Sequence, residues 1–173
     1  MGKLSNKPSK ILLQALQDLE AVEKIKGVKI NMSDWVVGKF DANSNACEVC
    51  HAGATMINRL GCSINDSHSP YDIRFDQATQ SKLQFINYVR EGQISEGLRD
   101  LNLGGVITYK QLTSVLKNFE VEGVQDIQDD YSYGDPERVN VPLKVREYKG
   151  VKAKRQYKEY ILLVAGILKA EGL

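Results

Sequence analysis

The sequence predicts a mainly α-helical fold of the α+β kind: a single compact domain over residues 1–173 with a small β-hairpin or extended arm near residues 139–153. Two observations carry this. Apolar residues recur three and four positions apart in five segments, most of them opened by a capping residue or closed by glycine. Around 139–153 the pattern instead alternates apolar with polar residues. The 173 residues, 42% hydrophobic and 26% charged, suffice to bury a core without disulfide support.

The elements follow in order. Residues 9–26 read as a helix, with Ser9 as cap, Leu12, Ala15, Leu16, Leu19 and Val22 on one face, and Gly27 at the stop. Residues 28–41 are less regular and hold Trp35 and a short strand. Asp41 to Asn45, DANSN, is a loop of residues that bond their own backbone. From Ala46 to Leu60 the spacing predicts a helix with Cys47, Cys50, Ala54 and Ile57 on one face, ended by Gly61. A polar loop, Cys62 to Tyr71, leads to a helix from Asp76 to Glu91 that points Leu83, Ile86 and Val89 inward and stops at Gly92. Ser95 starts a short helical turn, and Gly104-Gly105 breaks the chain. Thr108 with Gln111 forms a capping box ahead of Leu112, Val115, Leu116 and Phe119. The stretch VNVPLKVREYKGVKAKRQ reads as the β arm, turning near Lys149-Gly150. Tyr157 to Ala170 is the closing helix.

Charge is segregated late in the chain. Glu120 to Glu137 holds seven carboxylates and no lysine or arginine, whereas Arg138 to Lys158 holds eight basic residues and one carboxylate, Glu147. This segment, 120–158, reads as an excursion from the core. The net charge of +1 gives no overall pull toward nucleic acid or an anionic membrane. No apolar run reaches the roughly 18 residues needed to span a bilayer. The apolar patch after the early lysines of MGKLSNKPSKILLQAL is interrupted by Gln14, Gln17, Asp18 and Glu20, and no small-residue cleavage site follows, so a cytoplasmic location is expected. The three cysteines are then thiols or metal ligands, not a disulfide framework.

The stretch CEVCHAGATMINRLGC, Cys47 to Cys62, offers several chemistries. CEVCH matches a c-type haem attachment site, but haem is attached outside the cytosol, and Met56 on the same expected helix cannot reach the far face of the ring. Cys47, Cys50, Cys62 and His68 form C-x2-C-x11-C-x5-H, a soft four-ligand set for structural zinc, with His51 to spare. Against zinc, Glu48-Val49 is not the tight polar turn that usually lies between paired zinc cysteines, and buried cysteine packs as a small hydrophobe. A thioredoxin-like role needs a βαβ context that the sequence lacks, and neither His51 nor His68 has the setting of a base for a cysteine nucleophile. Neither acidic loop meets EF-hand geometry: DANSNACEVCHA ends in Ala52, and DIQDDYSYGDPE has Tyr131 where glycine belongs. Phosphate-loop, dinucleotide, nucleophile-elbow and metalloprotease motifs are absent. No enzyme and no resident cofactor are therefore expected, with CEVCH read as one turn of a buried helix and zinc as the cofactor held in reserve.

The basic residues Lys144, Arg146, Lys149, Lys152, Lys154, Arg155 and Lys158, interleaved with Tyr148 and Tyr157, are the candidate contact surface; they suit phosphates and stacked bases or an acidic partner. The acidic residues Glu120, Glu122, Asp126, Asp129 and Asp130 form a second such surface, suited to a basic partner or to the basic segment itself. Charge divided this sharply can steer a protein partner.

Trp35-x-x-Gly38, the motif A-C-x-V-C-x-A-G-A-x-M-x-x-x-L from Ala46 to Leu60, and K-L-x-x-I-N-x-x-R-x-G from Lys82 to Gly92 resemble small uncharacterised accessory proteins encoded by tailed bacteriophages. The resemblance covers about residues 33–100. It implies that the cysteine positions pack a helix, that the setting is an infected bacterial cytoplasm, and that the chain acts by binding. The expectation is a non-enzymatic protein that binds and modulates or inhibits a host or defence protein, with self-association compatible with the segregated charge. Two alternatives stand beside it: a zinc-stabilised nucleic-acid-binding module, and a sponge for a small nucleotide signal.

Overall fold

The computed structural model describes residues 2–41, 43–64, 75–107, 111 and 141–173. Among these it holds six helices and one three-stranded sheet, the mainly α, α+β architecture expected.

Helix α1 spans Pro8–Val22. Pro8 stands in its first turn, where the missing N–H has no intrahelical partner to lose. Its stripe of Ile11, Leu12, Ala15, Leu16, Leu19 and Val22 is buried. The helix ends at Val22, earlier than the glycine predicts. Gly27 instead serves the sheet: it sits at φ +90°, and a Cβ there would lie 1.7 Å from the Asn45 carbonyl oxygen.

Strands β1 (Val28–Ile30), β2 (Val36–Asp41) and β3 (Ser44–Val49) form a sheet in the order β1-β3-β2. β3 runs parallel to β1 and antiparallel to β2. DANSN is the tip of this hairpin, where the Asn43 N–H donates to Asp41 Oδ1 at 2.7 Å.

The expected helix over 46–60 is therefore corrected. Ala46 to Val49 lie in β3, and α2 covers only His51–Asn58. The reason is local alternation that the helical reading passed over: Cys47 and Val49 are buried, while Ala46 and Glu48 face outward or sit at the margin. Two flanking strands supply the backbone partners that a helix would have supplied internally. CEVCH is thus the junction of strand and helix.

Helix α3, Gln77–Arg90, is capped by Asp76, whose carboxylate accepts from the Thr79 N–H at 3.0 Å. It buries Leu83, Phe85, Ile86 and Val89. Gly92 follows at φ +81° and ends it as expected. Helix α4 is Ile94–Asp100. The helix expected after Thr108 lies outside the described residues, apart from Gln111.

The β arm expected near 139–153 is also corrected over its described part. Leu143–Arg146 form a single helical turn, α5, and Val151–Ala170 form the long helix α6. Tyr148 at φ 60° and Gly150 at φ 86° turn the chain between them. The alternation there arose from the lysines. The buried residues Val145, Tyr148, Ala153, Tyr157 and Tyr160 keep helical intervals on either side of the turn.

Helices α1 and α6 lie antiparallel. The Ser9 hydroxyl donates to the Leu173 carbonyl at one end, and Lys158 reaches Glu23 at the other. Helix α2 packs on α1, where fully paired Asp18 accepts from Asn58 Nδ2 and Arg59 Nε, each at 2.7 Å. The Tyr160 hydroxyl donates to the Val89 carbonyl at 2.7 Å and ties α6 to α3. Among the described residues no helix is long and apolar enough to cross a membrane.

Candidate functional site

The strand-to-helix junction comes first. Cys50 is the N-cap of α2, and its sulfur accepts from the Gly53 N–H at 3.5 Å. The Cys50 N–H donates to the Trp35 carbonyl at 3.1 Å. Gly53 is required beneath that carbonyl, because a Cβ there would lie 1.8 Å from the Trp35 oxygen. Trp35, Cys50 and Gly53 are thus one packing constellation, and the spaced tryptophan, cysteine and glycine of the motif have a structural purpose.

His51 is fully buried. Its Nδ1 lies 2.6 Å from the Tyr157 hydroxyl. The ring lies near the Ala15 carbonyl, and its Nε2 has no hydrogen-bond partner among the described residues. Burial, with the nearby Arg90 charge, lowers its pKa to about 3, so the ring is neutral. The neutral ring and the Tyr157 hydroxyl share one hydrogen bond, in which the ring's tautomer sets the donor. Burial raises the pKa of all three thiols. Among the described residues Cys50 has no base beside it, since His51 Nδ1 is engaged by Tyr157. Nucleophilic chemistry needs a lowered thiol pKa and access, and this site has neither.

Of the zinc set, Cys47 is buried in β3, Cys50 caps α2, Cys62 is half-buried, and His68 lies outside the described residues. Among the described residues no three His, Cys, Asp or Glu side chains converge on a metal position.

The structure divides the basic set. Lys154 reaches Glu23 at 3.2 Å, and Lys158 reaches Glu23 at 3.2 Å and Glu20 at 3.5 Å, bridging α6 to α1. The facing Tyr148 hydroxyl, with Lys158 and Lys154, holds Glu23's pKa below the usual carboxylate value against its own desolvation. Lys154 also sits 5.1 Å from the centre of the Tyr148 ring. The Tyr148 hydroxyl faces the Glu23 carboxylate without reaching hydrogen-bond geometry. Arg146 binds Glu91 at 3.1 Å and ties α5 to the end of α3. The remaining cations, Lys144, Lys149, Lys152 and Arg155, are exposed where α5 turns into α6. Lys149 and Arg155 have partners close in sequence, Glu147 at 2.8 Å and Glu159 at 3.7 Å.

Tyr148 and Tyr157 are both buried, so the stacking surface expected of the basic segment is not there. The acidic candidates Glu120, Glu122, Asp126, Asp129 and Asp130 lie outside the described residues. Sequence reasoning missed two exposed apolar residues beside the cations, Leu143 at 51% and Val151 at 88% exposure. Both had been assigned to strands, where alternate residues turn inward.

Open grooves among the described residues include one of ~600 Å³ between the N-terminal residues and the start of α3, and two others. One of ~590 Å³ lies beside the start of α3, lined by Asn6, Gln77, Ser81, Lys82, Asp100 and Asn102. One of ~430 Å³ lies between β1 and the α5–α6 turn, lined by residues that include Asn31, Glu48, Tyr148 and Lys149. Both open to solvent and mix polar with apolar lining residues, Leu101 and Leu103 in the first and Ile30 and Met32 in the second. No protein-family model, curated protein or solved structure matches the chain.

Proposed function

We propose that this chain is a non-enzymatic binding protein, an accessory factor of a tailed bacteriophage that engages and inhibits a host or defence protein through its charged region, 120–158. The observation that carries this reading is the disposition of reactive groups. The buried thiols, His51 and Tyr157 are committed to packing and hydrogen bonding inside the fold, while Lys144, Lys149, Lys152 and Arg155 face solvent. Proteins that act by surface contact keep their working residues outside a rigid scaffold. The phage setting, with its bacterial cytoplasm, rests on the resemblance of residues 33–100.

The test is capture followed by titration. Tagged full-length chain is passed through bacterial lysate, the retained protein is identified, and its activity is measured against added chain. Stoichiometric capture with loss of the partner's activity is the expected result. A native mass spectrum of the purified chain carrying a zinc ion or a nucleotide, with no protein retained, would replace this reading by the zinc module or the nucleotide sponge.

A further inference from the structure

We infer that the shoulder formed by α5, the 147–150 turn and the start of α6 is a docking surface for an acidic protein segment bearing apolar side chains. The inference rests on the binding-protein reading and names the partner's chemistry.

Three observations converge. First, the shoulder joins its apolar and basic parts. The Lys149 N–H donates to the Lys144 carbonyl at 3.2 Å, drawing the two ends of the turn together. Leu143 precedes that acceptor by one residue and Val151 follows the donor by two, so the two exposed apolar side chains flank one hydrogen bond. Around them stand Lys144, Lys149, Lys152 and Arg155, all exposed. The carboxylates paired locally are Glu147 and Glu159.

Second, the placement runs against local stability. The first turns of α6 carry Lys152, Lys154 and Arg155, and its first turn has no acidic residue. Cations at a helix N-terminus oppose the helix dipole. Lys154 is compensated by Glu23 across the α1–α6 seam. Among the described residues Arg155 has an exposed pair with Glu159, and exposed pairs contribute little. Arg155 thus breaks a local rule with little return among the described residues, as a residue kept for an outside contact would.

Third, the chemistry separates proteins from nucleic acids. A single-stranded nucleic acid would use exposed rings between the cations, and Tyr148 and Tyr157 are buried. Apolar anchors ringed by charge are instead the pattern of a protein interface, where the anchor is desolvated and the rim steers encounter. The occupant is a segment whose carboxylates meet Lys144, Lys149 and Arg155 and whose apolar side chains cover Leu143 and Val151.

The experiment measures fluorescence anisotropy of the full-length chain with a fluorescein-labelled peptide of alternating glutamate and leucine. That peptide is expected to bind about tenfold more tightly than the same peptide with serine for leucine. Leu143→Ser with Val151→Ser removes the preference. Lys144→Glu with Arg155→Glu weakens binding of both peptides at least tenfold and makes what remains insensitive to salt. All four positions are exposed, so an unchanged circular dichroism spectrum and unfolding midpoint are required of each variant. Equal binding of the two peptides, equal binding by the variants, or an oligothymidylate of matched charge binding as tightly as the glutamate-leucine peptide overturns the inference. A chain that still captures and inhibits a protein when Leu143 and Val151 are replaced by serine refutes the shoulder alone and leaves the binding-protein reading standing. A chain that binds the peptide as expected but captures nothing does the reverse.

Discussion

Acidification should loosen this fold through one residue, His51. Its folded-state pKa is about 3 against 6.5 for a free imidazole. A histidine with a depressed folded pKa costs nothing above its unfolded pKa, because it is neutral in both states. Below pH 6.5 the unfolded chain takes up a proton that the folded chain refuses, and stability falls by ~1.4 kcal/mol per pH unit until the folded pKa is reached. Between pH 7 and pH 5 the loss is about 2 kcal/mol, which for a chain of this length lowers the melting temperature by roughly 4–8 °C. Around the ring stand Tyr157 of α6, the Ala15 carbonyl of α1, Arg90 of α3 and Cys50. None is an anion that could stabilise an imidazolium. At low pH Asp18 and Asp100, with raised folded pKa values, act in the opposite sense, and Glu23 and Asp76, with lowered ones, act in the same sense. The slope is therefore read as the difference between the chain and a His51→Gln variant, by urea unfolding at several pH values. Independently, in a His68→Gln chain His51 is the only imidazole, and its NMR resonances should not titrate between pH 7 and 5. Titration near 6.5, or equal slopes for the two chains, would refute the buried neutral ring.

Three further outcomes follow from the packing. Gly53→Ala would place a methyl group 1.8 Å from the Trp35 carbonyl oxygen, and urea unfolding should show a loss of about 3 kcal/mol or more; a loss under about 1 would mean that α2 does not pack on Trp35 as described. Asp18→Ala strands Arg59 and Asn58 against α1; a buried pair broken on one side costs about 3–5 kcal/mol, and the partial exposure of Arg59 puts the expected loss nearer the lower figure. Gly166→Ala should stabilise the protein by about 0.5–1 kcal/mol in thermal unfolding, since Gly166 lies within α6 and a Cβ there meets nothing within 4 Å.

The sequence by itself determined the helices that own a complete apolar stripe. α1, α3 and α6 were legible because Ile11 to Val22, Leu83 to Val89 and Tyr157 to Leu168 repeat at the helical period, and Asp76 caps α3 from one residue outside it. Their burial needs only a partner of any shape, so local pattern suffices. Tertiary structure decided the rest. Cys47 and Val49 fit a helix face as well as a strand face; β1 and β2, which hydrogen-bond to that segment from both sides, settled it. The lysines of 144–158 look alike in sequence, yet Lys154 and Lys158 are spent on Glu20 and Glu23 more than 100 positions earlier, while Lys144 stays in solvent. His51 carries no local sign of its state. Only Tyr157, brought back from the far end of the chain, seals the ring and holds one of its nitrogens. Local intervals can encode which face of a helix is apolar, but strand pairing, ion-pair choice and the charge of a buried ring depend on groups that meet only when distant segments close on one another.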